Sequence, residues 1–285
     1  MTALADLLTP RAQGRDRFLF PPCAGAEGRL FGGQALGQAL AGALATIAPD
    51  RIAHSLHAHF LRTGDATVPV DVAVERVREG RSFATRAVTL SQDGRELLRA
   101  TISCQLPEDG LSHQPAVMPR VPGPEGLPSE LELRQRAAPE AEIGEGRKLT
   151  IEGLPVDIRT VFPRDFANPR PMAPEQHFWM RVAASAPDGL AARQALLAYL
   201  SDMMLLSTGL LPHGVYWSST PIDGISLDHS MWFHADPVFD DWLLWSMETP
   251  WGGGGRALAQ GRFFRRDGTL VATAVQEGLI RVREA

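Results

Sequence analysis

Three polar side chains in the second half of the chain stand in apolar surroundings, and their types could do hydrolytic chemistry. Asp202 falls within residues 196–206, where nine of eleven residues are apolar. A carboxylate there is costly unless other polar groups hold it. It either reaches a polar face, or it is kept inside as a general base whose proton affinity is raised by loss of water. Ser226 lies in Gly224-Ile225-Ser226-Leu227-Asp228-His229-Ser230. If this run is extended, Ser226, Asp228 and Ser230 share one face while Leu227 and His229 share the other. Neighbouring Ser, Asp and His suggest a nucleophilic triad. However, the strand-to-helix nucleophile motif GxSxG needs glycine where Asp228 stands, and alternation keeps Asp228 and His229 apart. Gln276, in 270–280 (LVATAVQEGLI), shares a strand face with Leu270, Ala272 and Ala274. Its amide must find partners, either backbone groups or a water or carboxylate, because it both donates and accepts.

Other candidates are weaker. His57 and His59 share a strand face near His54, but no third ligand follows at a metal-binding spacing, so no metal site is expected. Gly252 to Gly255 lack the Gly-Lys-Ser/Thr ending of a phosphate loop and read as a flexible loop, conceivably beside a ligand entrance.

The elements that must position these groups occur twice. His54-Ser55, Asp93-Gly94 and Ala100-Thr101 in the first half are followed in the same order by His229-Ser230, Asp267-Gly268 and Ala272-Thr273, with His-to-Asp spacings of 39 and 38 residues. Residues 33–48 carry small and apolar residues at helical spacing, and beta-rich runs follow near 52–62, 70–79, 82–91 and 95–106. An apolar helix near 189–208 precedes runs near 223–235, 241–248, 256–266 and 269–282. Asp93-Gly94 and Asp267-Gly268 are hairpin signals. Each half therefore reads as one long helix followed by an antiparallel sheet, an α+β unit. Six prolines between 107 and 128 mark a connector, with a short polar helix over 129–150. The expected division is 1–106, a connector 107–150, and 151–285 with the polar trio.

The bulk properties limit the function. A net charge of −5 on 285 residues, with no basic patch, argues against nucleic acid as a partner. The two cysteines, Cys23 and Cys104, form no CxxC pair, so a disulfide framework or cysteine zinc site is not expected. No apolar run reaches the roughly 18 residues of a membrane span. No signal-peptide core or Ser-Lys-Leu ending is present, so a cytoplasmic protein without a membrane partner is expected.

With these residues in view, the chain resembles the acyl-CoA thioesterase II (TesB-type) family. The likeness rests on Leu30-Phe31-Gly32-Gly33-Gln34-Ala35-Leu36-Gly37-Gln38-Ala39-Leu40, His54-Ser55-Leu56-His57 and Phe60-Leu61-Arg62-Thr63-Gly64-Asp65. In the second half it rests on Asp228-His229-Ser230-Met231-Trp232-Phe233-His234 and Val275-Gln276-Glu277-Gly278. The resemblance implies a double hotdog, two tandem units each with a long helix wrapped by an antiparallel sheet. It also implies hydrolysis of acyl-CoA thioesters by a water that Asp202 activates and Ser226 and Gln276 orient, with no cofactor and no metal. The backbone of Gly33 is a candidate donor to the oxyanion. Two departures stand out: His59 sits where an aromatic residue is usual, and the 252–255 glycines replace a polar loop. Because fold alone does not select chemistry, an acyl-thioester hydratase or dehydratase, or a non-catalytic acyl-CoA binding module, are the alternatives. No histidine groups with Asp202 from spacing alone, which disfavours the hydratase reading. One active site per chain is expected, because residues 32–48 contain no acid, and further association into a homo-oligomer is a separate expectation.

Overall fold

The structure, a computed structural model, describes residues 4–22, 28–137, 156–165, 168–182, 188–217 and 219–283. Among these, thirteen strands form one sheet. The first half supplies β1 (Arg11–Gly14), β2 (Arg17–Phe20), β3 (Ile52–Phe60), β4 (Val70–Glu79), β5 (Phe83–Gln92) and β6 (Arg95–Gln105). The second supplies β7 (Val156–Thr160), β8 (Glu175–Val182), β9 (Ile222–Ser226), β10 (Asp228–Phe233), β11 (Leu243–Gly253), β12 (Arg256–Arg265) and β13 (Leu270–Val282). The spatial order is β1-β2-β4-β5-β6-β3-β10-β13-β12-β11-β8-β7, with β9 also on β13. This order reads alike from either end, which is the duplication seen in the sequence. The halves meet at the antiparallel pair β3–β10, where His57 faces Ser230 and Leu56 faces Met231.

Local signals explain the strands. In β5, Ala84, Arg86, Val88, Leu90 and Gln92 are buried while the residues between them are not, the period of a half-buried strand. Asp93 and Gly94, with φ of 47° and 76°, join β5 to β6 by the tight turn whose twist suits a hairpin. Gly254 and Gly255, at φ 56° and 74°, make the same kind of turn between β11 and β12. The 252–255 glycines are therefore a hairpin tip and the strand leading into it, not a flexible entrance loop.

The sheet wraps two central helices, α2 (Gly32–Leu44) and α4 (Leu190–Ser201); α1 (Leu4–Leu7) and α3 (Glu130–Ala137) are short. Residues 33–43 of α2 are all buried, so it is a core helix without a wet face. Its glycines let the two backbones approach closely. A Cβ on Gly33 would stand 2.2 Å from the Tyr199 carbonyl oxygen, and one on Gly37 2.9 Å from that of Ala195. These contacts run the helices antiparallel, so the start of α2 meets the end of α4.

The helix expected over 189–208 is broken. Helix α4 ends at Ser201, Asp202 is its C-cap, Met204 takes φ 63°, and a 3₁₀ helix spans Leu206–His213. The apolar pattern continues through the break and so hides it. The break is held from outside the helix: the Trp245 indole donates to the Met203 carbonyl at 3.0 Å, and the Gln176 amide donates to that of Met204 at 3.0 Å. Taken together, Leu190–His213 is long and apolar enough to cross a bilayer, unlike the reading from uninterrupted runs, but 83% of its most apolar window is buried inside the protein. The expected helix over 129–150 is seen as α3; its later part lies outside the described residues. In the connector, Ala116, Met118, Val121 and Leu127 pack on Trp179, Trp242, Leu244 and Phe264.

The first unit treats the end of its helix differently. Ala45 caps α2 where Asp202 caps α4. Just beyond, fully buried Arg86 donates to the Thr46 hydroxyl at 2.8 Å and carbonyl at 3.1 Å, and pairs with Glu79. Its neighbour Cys104 is buried, and desolvation pushes its thiol up to about 11.

Candidate active site

A cleft of about 780 Å³ opens where the units meet, a size suited to a small-molecule site. Leu30, Phe31, Gly32, Phe60 and Leu98 line it from the first unit, and Asp202, Met204, Leu206 and Ser226 from the second. Arg29, Arg62 and Arg283 line it too and are exposed, which places cations at its mouth.

Asp202 is half-buried in this cleft. A carboxylate at a helix C-terminus faces that helix's negative end. Here the start of α2 offsets it: the carboxylate Oδ2 lies 2.7 Å from where a Cβ on Gly32 would be. The first N–H groups of a helix have no carbonyl of a preceding turn to meet and favour a nearby anion. Glycine at 32 is thus required by the carboxylate, and glycine at 33 by the Tyr199 carbonyl. Gly32 lines the cleft, whereas Gly33 is buried behind it.

Ser226 and Gln276 come together directly, with the Gln276 Nε2 donating to the Ser226 Oγ at 2.8 Å. The other end of the amide meets a residue that spacing alone did not group with the site. His229 is fully buried, with Nδ1 2.6 Å from the Gln276 Oε1 and Nε2 2.9 Å from the Ser201 Oγ. Alternation predicts that Ser226 and His229 face opposite ways. They reach the same amide because the strand bulges between them: β9 pairs Ser226 with Gly278, whereas β10 pairs Ser230 with Val275, a register one residue off. Both Leu227 and Asp228 bond to Glu277, through the Leu227 N–H to its carbonyl at 2.9 Å and through its N–H to the Asp228 carboxylate at 2.8 Å. An extra residue in one strand re-aims the side chains on either side of it. The available signal was the phase of His229, shared with Leu227 and Met231 on the core face, where an imidazole needs partners.

Burial holds the His229 imidazole below its ordinary pKa, against the pull of Asp202, the Gln276 hydrogen bond and Asp228. The ring does not line the cleft, and both its nitrogens are engaged within the core. It therefore stands behind Gln276 and away from any bound molecule. Two of the three histidines weighed as metal ligands have other partners: His54 bonds Ser103 at 2.8 Å and His57 bonds Ser230 at 3.0 Å.

Two α+β units sharing one sheet, each wrapped around a central helix, are the double-hotdog architecture. Residues 20–105 match the family described as acyl-CoA thioesterase N-terminal domain and residues 124–280 its C-terminal domain counterpart. The human acyl-coenzyme A thioesterase 8 is 38% identical over 261 residues, covering 90% of this chain and 81% of that protein. Acyl-CoA thioesterase 2 of Haemophilus influenzae is 37% identical, covering 90% and 89%. Among solved structures, the acyl-CoA thioesterase II TesB2 from Mycobacterium marinum superposes with a TM-score of 0.79 at 33% identity, covering 98% of this chain and 97% of that one. The chain belongs to the acyl-CoA thioesterase family, and its reaction is hydrolysis of an acyl-CoA thioester. Three dehydratase structures share the fold alone, at 10–12% identity and TM-scores of 0.53 to 0.56.

Proposed function

We propose that Asp202, Ser226 and Gln276 carry the hydrolysis at a single site per chain. Asp202 takes a proton from water as its oxygen attacks the thioester carbonyl. Ser226, held by Gln276, orients that water. The N–H groups of the first turn of α2, with Gly32 at the cleft wall and Gly33 behind it, are the donors assigned to the developing oxyanion, since the positive end of that helix points at Asp202. Coenzyme A thiolate then leaves and recovers the proton from Asp202, so the carboxylate is regenerated. The observation that carries the reading is the cleft itself: the half-buried Asp202 carboxylate and Ser226, whose hydroxyl the buried Gln276 amide holds from behind, open into one space. Leu30, Phe31, Phe60 and Leu206 suit an acyl chain, and the exposed arginines at the mouth suit the phosphates of coenzyme A.

Thiol release from acyl-CoA tests the assignment. Asp202→Asn is expected to abolish turnover while acyl-CoA binding persists, with smaller losses in Ser226→Ala and Gln276→Ala. Full activity in Asp202→Asn would refute it. A covalent acyl-Ser226 species, found by mass spectrometry after mixing with substrate, would replace the water-activation step with nucleophilic catalysis.

A further inference from the structure

We propose that His229 is the positioning residue of the site, fixing the Gln276 amide with its carbonyl inward and its NH₂ toward Ser226. This rests on the water-orienting role given to Ser226 and Gln276. An amide side chain has an acceptor at one end and donors at the other, and its shape does not say which way it turns; its partners decide. Gln276 is fully buried and has a partner at each end, the His229 Nδ1 at 2.6 Å and the Ser226 Oγ at 2.8 Å.

A proton on Nδ1 is received by the amide oxygen. The NH₂ then donates to Ser226, whose own hydroxyl proton is left to point into the cleft, toward the water or Asp202. A proton on Nε2 alone reverses the chain: the amide turns its NH₂ to the bare Nδ1, and its oxygen draws the Ser226 proton away from the cleft. Ser201 completes the first arrangement. Its hydroxyl donates to the Ala198 carbonyl at 2.8 Å and, with Nε2 bare at 2.9 Å, shares that proton with the ring. The charged groups acting on the ring are Asp202, at the end of α4, and Asp228, beside it on β10. Burial outweighs both and lowers the ring's affinity for a second proton. The bulge at Leu227 makes the relay possible, since only the shifted register brings Ser226 and His229 to one amide.

Two measurements test this. Long-range ¹H–¹⁵N correlation spectra of the intact protein at neutral pH should show a hydrogen on the His229 Nδ1; a bare Nδ1 overturns the proposal. In thiol-release assays, His229→Asn, which keeps a donor near Nδ1, should hold kcat within about tenfold of the parent, while His229→Leu should lose about a hundredfold or more, the loss typical of one preorganised donor. KM should move little in either variant, because the ring does not line the cleft. Equal losses in the two variants, tracking their melting temperatures, would mean a packing role only and overturn the inference. Asp202→Asn run in parallel separates the two levels. If it stays active, the hydrolytic assignment fails; if it is dead while the His229 variants fall together, only the positioning role fails.

Discussion

Gly32→Ala separates chemistry from folding at one atom. The added Cβ would meet the Asp202 Oδ2 at 2.7 Å and the Phe60 ring at 3.2 and 3.3 Å, where ordinary contact begins at 3.4 Å. The carboxylate must therefore retreat by about 0.7 Å, while the ring needs only a few tenths. Catalytic groups tolerate about 0.5 Å, and a misplacement near 1 Å can lower a rate by about a hundredfold. A fall in kcat of about ten- to a hundredfold is expected. The fold is not expected to suffer, since alanine in a first helical turn favours folding by about 0.5–1 kcal/mol over glycine, offsetting the crowding. Gly33→Ala is the control, because its Cβ would stand 2.2 Å from the Tyr199 carbonyl, a backbone atom that cannot swing away. The helices must part, at a cost of about 1–3 kcal/mol or more. Steady-state thiol release paired with thermal unfolding reads both variants. A Gly32→Ala enzyme with unchanged kcat would show that the position of Asp202 does not govern the reaction, and the catalytic reasoning would fall.

Further outcomes follow from the same geometry. Gln276→Leu should destabilise the fold by about 1–3 kcal/mol by leaving the buried His229 unpaired, measurable by urea titration, and should depress kcat as well. Arg86→Ala should lower stability by about 2–4 kcal/mol through lost packing and hydrogen bonds, yet leave kcat unchanged, because it lies at the end of α2 away from the cleft. Arg62→Ala should raise KM for acyl-CoA by about two- to fivefold, the range of an exposed charge contact. The same variant should leave KM unchanged for an acyl-pantetheine lacking the phosphates. Burial depresses the folded pKa of His229, and also those of His54, His177 and His234. The unfolded chain therefore binds more protons below the ordinary imidazole value, so stability is held above pH ~6.5 and lost as pH falls beneath it. Melting temperatures from pH 8 to 5 should show that decline, and His229→Asn should flatten part of it.

The strands that follow each central helix were legible because their signals are local, whereas β1, β2, β7 and β8, which precede the helices, were not read. Alternation in Phe83–Gln92 and the Asp93-Gly94 turn act over neighbouring residues, and the ordered His, Asp-Gly and Ala-Thr pairs expose the duplication. Asp202, Ser226 and Gln276 stood out by type, as polar groups in apolar runs. Their arrangement was less legible because it depends on distant partners. The end of α4 at Ser201 is fixed by Trp245 and Gln176 pulling on the following turn, while Met203 and Met204 prolong the helical pattern. The bulge at Leu227 is a register between β10 and β13, residues some fifty positions apart, and no local propensity encodes it. Strict alternation therefore separated Ser226 from His229 and left the imidazole out of the site.

The seam between β3 and β10 bears on how such an enzyme can change. In a dimer of identical chains, every substitution appears on both sides of the dyad, so an arginine that fills one junction fills both. Here the two junctions are encoded separately. Arg86 could settle into the first while the second kept its carboxylate, and dilution cannot pull the two walls of the cleft apart because one chain ties them. Two linked units can therefore carry Ala45 at one helix end and Asp202 at the other while both still wall the same cleft.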